Sequence, residues 1–272
     1  IILGKVDLAL TKFITAISTD ENIEDGEYLT ADKTSKNAGT VANPYTRQTA
    51  VNTTPLIQGG HDAIYTQVKT PLVVGNNSYV LYNIRVYNEG EVDVYAGDVT
   101  DYLPEYLEFV EGEFNTGYGW TANGQTVKTS YLSATNGTDK KLIAFDSETD
   151  DGAGSKLDYK DLPILCRVKS EAPSGRELIN TAEITKYQDK DGNDIRKDID
   201  STPDNKDNKN NKTREEDDDD FEVVIVKKID LALTKFITAV SADEKIEDGE
   251  YLTADKTSKN AGTAENPYTR QT

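Results

Sequence analysis

Three polar side chains interrupt apolar strand faces, and their types define the chemistry this chain could perform. In the first alternating segment Val6, Leu8 and Leu10 share a face that Lys12 continues, and a lysine is almost never fully buried without a partner. In a late segment Leu178, Asn180, Ala182 and Ile184 share a face, which sets a carboxamide where an apolar group is expected. Asp101 intrudes in the same way beside Val99 and Leu103. Burial disfavours charge, so it lowers the pKa of a lysine and raises that of an aspartate. The products are a neutral, nucleophilic amine and a protonated carboxyl able to polarise an amide carbonyl. The plainer alternative is a buried Lys12–Asp101 ion pair, with Asn180 bonded to backbone groups.

A second chemistry lies in the acidic stretch that follows. It reads Asp189-Lys-Asp-Gly-Asn-Asp194, then Asp198, Asp200, Asp204 and Asn205, then Glu215-Glu-Asp-Asp-Asp-Asp220. Clustered hard oxygens on short loops suit Ca²⁺, which is the expected cofactor, with Asp198, Asp200, Asp204, Asp217, Asp218, Asp219 and Asp220 as the expected ligands. The twelve-residue calcium-loop pattern is absent, because no glutamate closes it. The alternative is a solvated acidic linker, which the Lys- and Asn-rich run 205–212 suits by composition.

The elements that must position these groups are strands. The 272 residues include 15 Tyr and no Met, with many Val, Ile and Thr and with Gly, Asn and Asp as turn formers. Alternation predicts strands at 64–69, 78–87, 92–99, 107–111, 126–129, 141–145, 162–168, 178–187 and 221–226, beside the first one. Asn88-Glu-Gly90, Asn123-Gly124 and Asn136-Gly137 are turn signals between them. The fold class expected is all-β, an immunoglobulin-like sandwich with long loops.

Self-similarity sets the organisation. Lys5–Thr49 recurs as Lys228–Thr272 at an offset of 223, with six of 45 positions different. The economical reading is one complete module over 5–227, its acidic linker region near 189–220, followed over 228–272 by the start of the next repeat in a tandem array. Lys235 is then the next repeat's equivalent of Lys12. The alternative makes the repeated 45 residues a separate small unit flanking a unique domain.

The segments Tyr82-Asn-Ile-Arg-Val-Tyr-Asn-Glu-Gly90, Val99-Thr-Asp-Tyr-Leu-Pro-Glu-Tyr-Leu107 and Asn180-Thr-Ala-Glu-Ile-Thr185 resemble a family of bacterial surface-protein repeats, domain of unknown function eleven. Asp7-Leu-Ala-Leu-Thr-Lys-Phe-Ile14 and Asp198-Ile-Asp-Ser-Thr-Pro-Asp-Asn205 are similar to versions in wall-associated proteins of Gram-positive bacteria. The resemblance covers most of 5–227, is weak over 15–60, and implies an extracellular, cell-wall-associated stalk, surface layer or filament without turnover of an external substrate. Lys12, Asn180 and Asp101 also resemble the intramolecular isopeptide cross-links of Gram-positive pilins and adhesins. That resemblance implies attack of Lys12 on Asn180 with release of ammonia.

Charge and composition narrow the partners. Thirty Lys and Arg against 49 Asp and Glu leave a net charge of −19, which argues against nucleic acid or anionic membrane. No apolar run reaches the roughly 18 residues of a membrane span. One Cys and one His cannot build a zinc site or a disulfide framework, so Cys166 reads as a small buried apolar group and His61 as a loop residue. The expected partners are neighbouring repeats, with like subunits in a filament, a glycan or a protein ligand as alternatives. Tyr118, Trp120 and Tyr131 are the aromatic candidates for stacking on a sugar, against a plainer reading as a turn packed on the sandwich edge. A glycosidase would need a selected carboxylate pair, and no pattern selects one.

Overall fold

The computed structural model describes residues 4–196, 198–204, 217–228, 231–242, 245–246 and 249–270, with the backbone alone at positions 24 and 49. The expected linker run 205–212 therefore lies outside the described residues. The chain divides into two compact units, Ile1–Lys228 and Ile229–Thr272.

Fourteen strands build the first unit: β1 Leu8–Ser18, β2 Glu27–Tyr28, β3 Gln48–Asn52, β4 Ile64–Gln67, β5 Leu72–Val74, β6 Tyr79–Asn88 and β7 Val94–Tyr102, then β8 Leu107–Phe109, β9 Thr121–Asn123, β10 Thr126–Thr129, β11 Tyr159–Val168, β12 Glu177–Asp189, β13 Asp194–Ile195 and β14 Asp219–Val226. One sheet runs β2-β1-β6-β11-β8 and the other β5-β14-β12-β7-β10-β9, with β13 on the end of β12. Leu8, Leu10, Ile14, Ile84, Ile164 and Cys166 of the first sheet pack on Val99, Val127, Leu178, Ile184 and Val224 of the second. Two sheets packed through alternate inward side chains make an immunoglobulin-like β-sandwich. Cys166 is fully buried in that core, and His61 is exposed in a loop.

Alternation places the β1 residues as expected and misses what covers their outer face. Segment 19–71 folds back over it. Phe13 meets Tyr45 with ring centroids 5.3 Å apart, Thr11 Oγ1 donates to Gln48 Oε1 at 2.8 Å, and Ala9 joins a small cluster with Leu56, Ala63 and Tyr87. β1 is thus buried on both faces, and period-two polarity cannot report that.

Two expectations are corrected. Residues 141–145 form no strand, only a bridge between Leu142 and Val94, because the carboxylates of Asp158 and Asp93 take the amides of Ile143 and Ala144. Trp120 is 1% exposed and its Nε1 donates to Pro163 O at 2.9 Å, so it is a core residue and not a platform for a sugar. The carbonyl it uses belongs to a proline paired with β6 alone, a position where the missing N–H leaves no gap in the ladder.

The second unit carries a pair of short strands, β15 Ala239–Val240 and β16 Glu250–Tyr251. Residues 231–238 are in no strand.

Candidate cross-linking site

Lys12 reaches inward from β1, while Asp101 on β7 and Asn180 on β12 reach inward from the opposite sheet. All three are fully buried. β12 and β7 are neighbours, with Asp101 opposite Ala182, so Asn180 lies diagonal to Asp101 on the shared inner face. Lys12 Nζ stands 2.7 Å from Asp101 Oδ1, and Asn180 Nδ2 lies 3.5 Å from Asp101 Oδ2. Asn180 Oδ1 has no hydrogen-bond partner among the described residues. The Tyr82 ring closes one side, its centroid 5.0 Å from Lys12 Nζ.

The electrostatics follow from burial. Desolvation pulls the Lys12 amine below its ordinary pKa, against the opposing pull of Asp101. Desolvation likewise pushes the Asp101 carboxyl up, with Lys12 and Asn180 acting the other way. Cys166, next to the pair, is held well above its usual range by burial and is an inert thiol. Both shifts run toward the neutral forms, an amine and a carboxylic acid.

A row of acids fixes the strand that carries Lys12. The amides of Leu8, Leu10, Lys12 and Ile14 face away from β6, and β2 covers that edge only at Ala16 and Ile17, so among the described residues no strand pairs with these four. Leu8 N donates to Asp198 Oδ2 at 2.8 Å, Leu10 N to Asp217 O at 2.8 Å, Lys12 N to Asp220 Oδ2 at 2.6 Å and Ile14 N to Glu222 Oε1 at 3.3 Å. Lys69 Nζ binds Lys12 O and Asp220 Oδ2, both at 2.7 Å. Glu222 is in turn clamped by Arg47, Nε to Oε1 at 2.9 Å and Nη2 to Oε2 at 2.8 Å, with both side chains almost completely buried. Three side chains and one main-chain carbonyl here do what a neighbouring strand does elsewhere, satisfying a sheet edge that would otherwise be left bare.

The acids singled out in the sequence thus separate by role. Asp198 and Asp220 bind β1 amides, and Asp220 also holds Lys69 and Gln67. Asp218 is fully buried and accepts from the Tyr187 hydroxyl. Asp219 opposes Glu183 in the β12–β14 ladder. Asp204 is exposed on a turn with φ of 66°. Asp200 and Asp217 come together with Asp7, their carboxylate oxygens within 4.8 Å of one another. Lys235 is exposed in the second unit.

Four residues of this region escaped the sequence reading: Arg47, Tyr82, Glu222 and Asp7. Asp7 immediately precedes β1, in phase with its odd-numbered residues and not with the inward row of Val6, Leu8 and Leu10. Arg47 lies in the segment of weakest resemblance. Glu222 stands opposite Asn180 in register, a relation that exists only once β14 pairs with β12.

No family model matches this chain, and no curated protein matches it. Among solved structures it is similar to the major pilin subunit BcpA of Bacillus cereus, with 18% identity over 59% of this chain and 37% of that one, at a TM-score of 0.31. It is also similar to a collagen-binding domain from a Staphylococcus aureus adhesin, with 10% identity over 54% of this chain and 87% of that one, at a TM-score of 0.24. A non-cellulosomal cohesin from Archaeoglobus fulgidus aligns with 15% identity over 58% of this chain and 91% of that one, at a TM-score of 0.26. Scores of this size carry no functional argument, which rests on the site.

Proposed function

We propose that this chain is a structural or adhesive repeat of an extracellular bacterial surface protein, and that a covalent Lys12–Asn180 bond locks its sandwich. The observation that carries the reading is the buried triad: an amine 2.7 Å from a carboxyl, which itself lies 3.5 Å from a carboxamide. A buried ion pair alone gives no reason for the Asn180 side chain to sit against it with one oxygen unsatisfied.

In the reaction the neutral Lys12 amine attacks Asn180 Cγ. A half-turn of the carboxamide sets its oxygen toward Asp101, whose proton stabilises the developing oxyanion. Asp101 then passes the proton lost by Lys12 to the leaving nitrogen. The Nζ–Cγ bond forms, the Cγ–Nδ2 bond breaks, ammonia departs, and Asp101 returns to its starting state. The new bond would join the two sheets and close a loop of well over a hundred residues, restricting both unfolding and extension under load. Such a module performs no turnover, and its partners are neighbouring repeats.

A second reading is filament assembly by strand addition. Its support is that the strand sequence of β1 recurs from Leu231, a second copy able to add to a sheet edge. Sizes measured across a dilution series test it, and monomers at every concentration would count against it.

The intact mass under denaturing conditions tests the cross-link. The expected result is a deficit of one ammonia, with Lys12 and Asn180 in one branched peptide, and the full sequence mass for Asp101→Ala. A folded wild-type chain of full mass would overturn the reading.

A further inference from the structure

Beside the outer edge of β1, carboxylates gather without a counter-charge. Asp7 precedes β1, Glu89 follows β6, Asp62 belongs to the segment folded over the sheet, and Asp198, Asp200 and Asp217 come from the acidic stretch. Among the described residues none of Asp7, Asp62, Glu89, Asp200 or Asp217 forms an ion pair. Yet Asp7 is 3% exposed and Glu89 5%. Buried carboxylates in such numbers are costly unless something neutralises them.

Two kinds of acid can be told apart. Glu89 is saturated by protein donors, the Ala63 amide at 2.7 Å and the Tyr65 hydroxyl, and Asp198 serves the amides of Leu8 and Ile199. Others keep a buried oxygen with no hydrogen-bond partner: Asp7 Oδ1, Asp62 Oδ1, Asp200 Oδ1 and Asp217 Oδ2. Three of these residues, Asp7, Asp200 and Asp217, offer oxygens within 4.8 Å of one another. That spacing lies within the span of one Ca²⁺, whose ligand oxygens sit about 2.3–2.6 Å from it. Among the described residues these carboxylates face one another with no cation paired to them. Those are the marks of a site short of positive charge.

We propose that Asp7, Asp200 and Asp217, with Asp62 beside them, bind one Ca²⁺ that fastens the acidic stretch against the start of β1. The ion joins the two ends of the module to the segment covering it. It also holds in place the acids that satisfy the β1 edge, because Asp217 gives its carbonyl to Leu10 N and Asp198 lies two residues from Asp200. The site is separate from the cross-link and does not depend on it. Ca²⁺ is favoured over Mg²⁺ because the ligands come from several loops in an irregular arrangement, whereas Mg²⁺ requires a tight octahedron and sheds its water reluctantly.

The test uses the full chain freed of metal with a chelator, titrated calorimetrically with CaCl₂ and followed by thermal melting. One Ca²⁺ per chain and a raised melting temperature are expected, with Asp7→Asn plus Asp217→Asn weakening binding at least tenfold. That variant removes charge repulsion, so it should fold without metal at least as well as the wild type, and circular dichroism checks that it does. Asp204→Asn should bind as the wild type does. The proposal is overturned if the wild type binds no Ca²⁺, if the double variant binds as tightly, or if MgCl₂ at equal concentration gives the same shift. Repeating the titration on Lys12→Ala should leave binding unchanged, which keeps the outcome distinct from that of the cross-link.

Discussion

The same sequence occurs twice in this chain with two outcomes. In the first copy residues 8–18 form a strand paired with β6 at ten positions and buried on both faces. In the second, residues 231–238 form no strand, and Leu231 and Leu233 are almost fully exposed. Described parts of the loop that follows close alike in both. Asn43 Nδ2 donates to Thr34 O at 3.1 Å and Lys36 O at 3.0 Å, and Asn266 Nδ2 donates to Thr257 O at 3.2 Å and Lys259 O at 3.0 Å. Gly39 and Gly262 take φ of 81° and 82°, each with a tyrosine ring where a Cβ would stand. Phe13–Tyr45 and Phe236–Tyr268 centroids are 5.3 and 5.4 Å apart. The loop is encoded by contacts within about thirty residues, whereas the strand needs partners distant in sequence and cannot stand alone.

Breaking the comparison at its strongest point means removing Lys12 and, separately, Lys235. Lys12→Ala should abolish the ammonia deficit and lower stability by about 5 kcal/mol, the scale of a covalent closure of a long loop. Lys235→Ala is exposed and should change stability by less than about 0.5 kcal/mol. Chemical denaturation and intact mass check both, and equal effects would remove the distinction.

Arg47 and Arg270 come next. Arg47→Ala strands Glu222 as a buried charge and should destabilise by about 3–5 kcal/mol, while Arg270→Ala, on an exposed side chain, should be near neutral. Thermal melts of the two variants supply the contrast. The smallest effect is predicted where the copies agree. Asn43→Ala and Asn266→Ala should each loosen their own loop by about 1–2 kcal/mol, seen as faster hydrogen exchange at the Asp32 and Asp255 amides that now donate to Asn Oδ1. An effect in one copy alone would show that the loop also depends on its surroundings.

The strands legible from sequence were those with one covered and one solvated face or a fully apolar run. Residues 126–129 match their element end to end, and β6, β11, β12 and β14 differ from expectation by a few residues at their ends. Alternation gave no sign of β2, β3, β5, β9 or β13, strands of two to five residues whose existence depends on what lies beside them. Lys12, Asp101 and Asn180 were legible because each breaks an apolar face, and a polar group inside a core demands a reason. Arg47 and Asp7 broke no pattern, and Glu222, which shares a face with Val224 and Val226, opens a run whose other face is apolar as well. Each is buried only because a distant segment covers it.

The division has a physical cause. Sequence alone determined the β class, the 223-residue recurrence, the inward faces and the residues that violate them, because these follow from side-chain period and from repetition along the chain. Only the tertiary structure decided that the amine of one sheet meets an acid of the other at hydrogen-bonding distance, with the amide lying against that acid. It also decided which of many aspartates serve backbone amides and which are left facing one another. Those choices depend on pairing between segments up to some two hundred residues apart, and no local pattern records which distant group will supply a buried atom's partner.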